Sequence, residues 1–74
     1  MDGESLDLRG LKCPLPALLT RKRLERMAPG ALLAVVADDP MAPVDLPHMC
    51  RTHGFDVVEV AAEGALTRMV LRRL

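Results

Sequence analysis

Leu6-Asp7-Leu8-Arg9-Gly10-Leu11-Lys12-Cys13-Pro14-Leu15-Pro16 is the stretch on which the fold turns, because its periodicity changes partway along. Leu6 and Leu8 alternate with Asp7 and Arg9, the pattern of a half-exposed strand, which predicts strand one over Ser5 to Arg9 with Gly10 as its stop. Pro14 and Pro16 then open a helix, where a missing N–H is tolerated because the first turn has no internal acceptor for it. The spacing carries this helix to about Met27, ahead of Ala28-Pro29-Gly30, and Arg21, Lys22, Arg23 and Arg26 favour its C-terminal half through the helix dipole. Strand followed by helix implies a βαβ crossover, and Cys13 falls where the carboxyl end of the strand meets the amino end of the helix.

Working outward, Ala31 to Ala37 is a continuous apolar run, expected as a strand buried on both faces or nearly so at the centre of the sheet, and ended by Asp38-Asp39-Pro40. A second helix is expected over Val44 to His53. Leu46, Met49, Cys50 and His53 lie on one stripe, Asp45 is placed to cap its start, Pro47 keeps that start nearby, and Gly54 is its stop. Asp56 to Ala61 and Thr67 to Arg72 read as strands joined by a hairpin across Ala62 to Leu66, around Gly64. The order is β-α-β-α-β-β. Successive right-handed crossovers put both helices on one side, so the expected fold is an α+β two-layer sandwich: a mixed four-stranded sheet, strand four antiparallel to strand three, with two helices on one face. The other face is expected to be wet, with Asp7, Arg9, Glu59, Arg68 and Arg72 alternating against Leu8, Val58, Val60, Met69 and Leu71 on the dry side.

The whole length, 74 residues, makes one domain over residues 1–74, with 1–4 expected as a flexible tail, and half the residues are hydrophobic, enough for a core. Ten Lys and Arg balance ten Asp and Glu, which removes the broad attraction that drives binding to nucleic acid or anionic membrane. Phe55 is the only aromatic residue, so a base-stacking platform is missing as well. Asp2, Glu4 and Asp7 stand where a signal peptide needs a basic start, and the Ala31–Ala37 run is too short to cross a bilayer. The expectation is a cytosolic protein, a monomer that forms transient complexes.

Cys13 is expected at the helix N-cap, with the N–H groups of Leu15 and Ala17 as the donors left once Pro14 and Pro16 contribute none. Such a tip stabilises a thiolate, as does the nearby cation Lys12, whereas Asp38, Asp39 and Asp45 oppose it, and the sign of the net shift stays open. Read from position alone, Cys13 is either a reactive thiol or a small buried apolar side chain. Cys50, on the apolar stripe of helix two, reads as core. His48, Cys50 and His53 do not make a metal site, since His48 and Cys50 face different ways and a fourth ligand is missing. A dithiol role has no Cys-x-x-Cys motif to support it.

The quoted stretch from Leu6 to Pro16 resembles the signature of the TusA/SirA-like sulfur-carrier proteins, and Pro29-Gly30, Asp38-Asp39-Pro40, Asp45-Leu46-Pro47, Cys50, Gly54 and the terminal hairpin follow in that family's order. The resemblance spans nearly the whole chain. It implies the same two-layer fold and a sulfurtransferase activity in which sulfane sulfur is carried as a persulfide on Cys13, with no metal or organic cofactor. It further implies a donor, either a cysteine desulfurase or a rhodanese-like protein, and an acceptor in tRNA thiolation, molybdenum-cofactor synthesis or sulfur oxidation. A carrier must present its sulfur inside a protein interface. Leu15, Leu18 and Leu19, bordered by Lys22 and Arg26 and with Lys12 beside the cysteine, are the expected docking surface. The competing reading is a non-catalytic regulatory or interaction module on the same scaffold.

Overall fold

A computed structural model of the chain describes residues 3–74. Its elements run β1 (Gly3–Asp7), α1 (Leu15–Glu25), β2 (Leu32–Ala37), α2 (Ala42–His53), β3 (Asp56–Glu63) and β4 (Leu66–Arg72). The strands form one sheet in the order β1-β2-β4-β3. β1 and β2 are parallel, with Leu6 opposite Val35, while β4 runs antiparallel to both β2 and β3. β4 therefore inserts between the two strands that the second crossover connects, and the helices lie together on one face, as the alternation of the strands requires.

Burial on that face follows the two-residue period. Leu33, Val35 and Ala37 of β2 and Thr67, Met69 and Leu71 of β4 are buried, and their neighbours in sequence face the other way. Thr20, Leu24 and Met27 from the first helical segment and Ala42, Leu46, Met49 and Cys50 from α2 close over them. β2 is thus buried on one face only, because no layer covers the far side of the sheet; Leu32 and Ala34 are exposed there with Asp7, Glu59 and Arg68. Val58 and Val60, expected on the dry side, are 44% and 51% exposed. A β-bulge between Val57 and Glu59 breaks the alternation of an edge strand, and the helices do not reach over its outer end.

The element boundaries moved for local reasons. Gly3 and Glu4, expected in a flexible tail, pair with Leu32 and Leu33 of β2, and Glu4 also accepts a hydrogen bond from Arg23 at 3.2 Å; Met1 and Asp2 lie outside the described residues. α2 starts two residues before the expected Val44. Pro43, not Pro47, marks its first turn, and Pro47 lies inside the helix. Asp45 does not cap that start: Met41 is the N-cap, and its own side chain makes no capping hydrogen bond. Gly54 ends α2 at φ 79°, in the left-handed region that an L side chain adopts only with strain. The hairpin is tighter than expected, a two-residue turn at Gly64-Ala65.

Candidate functional site

The connection from β1 to α1 carries few internal hydrogen bonds, and the two aspartates after β2 supply the rest. Leu11 N–H donates to the Leu8 carbonyl at 3.2 Å and Leu15 N–H to the Lys12 carbonyl at 2.9 Å. Gly10 N–H donates to both carboxylate oxygens of Asp38, at 3.0 and 3.1 Å. Cys13 N–H donates to Asp39 Oδ2 at 2.8 Å. The peptide bond between Cys13 and Pro14 is cis.

Cys13 is exposed and precedes the helix by one position more than expected, since Pro14 is the N-cap of α1. Of the two amides expected to face the sulfur, that of Leu15 is occupied by the Lys12 carbonyl. The thiol instead opens into a groove of about 320 Å³ between the first turn of α1 and the outer face of α2, lined by Pro14, Ala17, Asp45, His48, Met49, Thr52 and His53. Its pKa is raised above the ordinary cysteine value, first by hydrogen bonding with the Asp45 carboxylate, then by partial desolvation and by the negative charge of Asp45 and Asp39. The sign left open by the sequence is therefore upward, and the resting side chain is a thiol rather than a thiolate held by helix amides.

In the sequence Asp45 has a structural reading at the start of helix two, and His48 and His53 are set aside as metal ligands. The structure puts all three in the groove with the cysteine. A signal for part of this was present: Asp45, His48, Met49 and Thr52 stand at i, i+3, i+4 and i+7 and so share a helix face. Which face meets α1 is a tertiary fact. Cys50 has the opposite environment, fully buried, with its thiol pushed up to about 11, chiefly by desolvation. Among the described residues no group of His, Cys, Asp and Glu side chains has a metal-binding arrangement, and no helix is long and apolar enough to cross a membrane.

On the outward side of α1, Leu15, Leu18 and Leu19 are 46%, 47% and 39% exposed. Leu19, Lys22 and Arg26 line a second, shallow groove with Leu6 and Arg23. Lys12 is exposed beside Cys13. Pro16, expected to shape the helix start, is itself buried against the core. The sequence-derived set thus divides around α1: Pro14 and Ala17 wall the cysteine groove, and the leucines with Lys22 and Arg26 form a separate, outward-facing surface.

These features define a small two-layer α+β domain that offers one accessible thiol at the junction of its helices. Residues 4–73 match the family model for sulfurtransferase TusA, and the chain belongs to that family. It is 38% identical over 72 residues to two Neisseria meningitidis proteins, one from serogroup A and one from serogroup B, each bearing the name "Putative sulfur carrier protein"; the match covers 97% of this chain and 97% of each relative. The crystal structure of a SirA-like protein from Desulfitobacterium hafniense superposes with a TM-score of 0.77 at 21% identity, covering 92% of this chain and 93% of that one, a likeness of fold.

Proposed function

We propose that this domain is a cytosolic sulfur carrier that accepts sulfane sulfur on Cys13 and relays it to an acceptor protein. The observation that carries this reading is the contrast between its two cysteines: Cys13 exposed at the mouth of a groove, Cys50 sealed in the core. Loading transfers one sulfur atom between thiols. Cys13 sulfur, as its thiolate, attacks the outer sulfur of a donor persulfide R–S–SH; the donor S–S bond breaks, R–S⁻ leaves with the electron pair and takes up the proton that Cys13 released, giving Cys13–S–SH and R–SH. Delivery repeats the exchange with an acceptor thiol, and neither step has a net oxidation or reduction. The half-exposed leucines of α1, with Lys12, Lys22 and Arg26, form the surface on which donor or acceptor docks.

Intact-mass measurement after incubation with glutathione persulfide tests the assignment. Wild type and Cys50→Ser should each gain one sulfur atom and Cys13→Ser none; a sulfur-labelled Cys13→Ser protein sinks it.

A further inference from the structure

Asp39 is an unusual residue in this fold: a carboxylate only 7% exposed, at the end of the central strand β2, that neutralises no cation among the described residues. Both of its oxygens are used. Oδ2 accepts the N–H of Cys13 at 2.8 Å, and Oδ1 accepts the N–H of Met41, the N-cap of α2, at 3.3 Å. Its own carbonyl accepts the N–H of Ala42 at 2.9 Å, the first residue of α2. One side chain therefore ties the residue that bears the thiol to the start of the helix that walls the groove.

We propose that Asp39 is a positioning residue for sulfur transfer, fixing the Cys13 sulfur relative to the α2 wall by bonding the Cys13 and Met41 amides through the two oxygens of one carboxylate. The inference rests on the carrier reading of Cys13. A carboxylate suits this task because an ionised Asp is acceptor-only at both oxygens, whereas Asn has one acceptor and would leave one of the two amides without its bond. The bond matters because Cys13 has little else to hold it. Pro14 and Pro16 cannot donate, the Leu15 amide is turned back to Lys12, and Asp39 provides the one hydrogen bond from the Cys13 backbone to the rest of the fold among the described residues. Asp38 makes the comparison within the molecule: it holds Gly10 of the same connection but not Cys13.

The requirement for geometry differs between donors. A small persulfide approaches Cys13 from any open direction, whereas a protein-bound persulfide must meet the sulfur at one position in a docked complex, where a misplacement of about 1 Å can cost about a hundredfold in rate. Asp39→Asn should therefore load from glutathione persulfide no more slowly than wild type, since losing the Asp39 charge only lowers the thiol pKa, and from a cysteine desulfurase charged with cysteine at least about tenfold more slowly, while Asp38→Asn loses much less with the protein donor. Equal losses with both donors, or none with either, overturn the proposal. A wild-type protein that loads from neither donor refutes the carrier reading instead. A measurement on the unaltered protein judges Asp39 in that event, or if the variant fails to fold: in amide hydrogen exchange, the Cys13 and Met41 amides bonded to Asp39 should both be protected. A Cys13 amide that exchanges as fast as that of Lys12 overturns the positioning role.

Discussion

Truncating one leucine on each side of α1 separates a docking surface from a core. Leu18 is 47% exposed and Leu24 is 0% exposed, on one helix and six residues apart in number. Replacing either with Ala leaves helix propensity no worse, since Ala is the best helix former, so the change in stability reports burial. Deleting the buried part of a leucine removes about 0.8 kcal/mol per methylene equivalent, and a filled core site adds a cavity term, for a total of about 3–5 kcal/mol at a site such as Leu24. Leu18, already half in water and with no enclosed cavity to leave behind, should lose about 1 kcal/mol. In a domain of this size about 1 kcal/mol moves the melting temperature by about 4–8 °C. Leu18→Ala should fall within that range and Leu24→Ala by several times as much. In the same preparations, kcat/KM for sulfur loading from a protein donor should drop about fivefold or more for Leu18→Ala, the effect of removing about 1 kcal/mol from an interface anchor. Thermal unfolding by circular dichroism and loading by intact mass are the two assays. If Leu18→Ala melts as low as Leu24→Ala and folded protein transfers at the wild-type rate, the outward leucines are core and the docking surface lies elsewhere.

Two other outcomes follow from the titrating groups. Asp45→Asn removes the first cause of the raised Cys13 pKa, so alkylation by iodoacetamide at pH 7 should quicken, its pH midpoint should move toward acid, and persulfide occupancy at a fixed glutathione persulfide concentration should rise; an unchanged midpoint contradicts the role given to Asp45. Cys50 is protonated in the fold up to about pH 11 but ionises near its ordinary value of 9.0 when unfolded. A raised folded pKa contributes stability below the unfolded pKa that is lost as pH climbs through the folded one, so stability against urea should fall between about pH 9 and 11, and Cys50→Ala should flatten that dependence.

Most of the architecture was legible because the hydrophobic period changes type at Gly or Pro, and those changes survive without any knowledge of tertiary contacts. The order of elements, the pairing of β3 with β4, and the burial of Leu46, Met69 and Leu71 all come from period and punctuation. Three things did not. The bulge at Val57/Glu59 has no marker in a run of Val, Glu and Ala, so the exposure of Val58 and Val60 could not be read. Pro43 and Pro47 both qualify as helix openers, and only the bonds of Ala42 and Val44 to the preceding loop decide for the earlier one. The electrostatics of Cys13 depend on which way α2 is turned against α1, since that sets whether Asp45 faces the thiol. The position of Cys13 was a local property of one strand and one helix; its protonation was a property of the packed pair.

A raised thiol pKa is a less severe handicap for a carrier than for a catalyst that must attack rapidly at rest. For each unit by which a thiol pKa rises above the surrounding pH, the thiolate fraction falls about tenfold while the nucleophilicity of each thiolate rises about threefold, so the net loss in loading rate is modest. The same carboxylates then favour delivery. A persulfide ionises more readily than its parent thiol, so on the proposed carrier reading the loaded site would hold an anion beside Asp45 and Asp39, whereas the emptied site holds a neutral thiol that the Asp45 carboxylate favours. Moving sulfur to an acceptor replaces the first state with the second, and whatever destabilises an anion at Cys13 shifts the exchange toward release. On the carrier reading proposed for Cys13, the carboxylates that modestly slow loading are thus the ones that favour release to an acceptor.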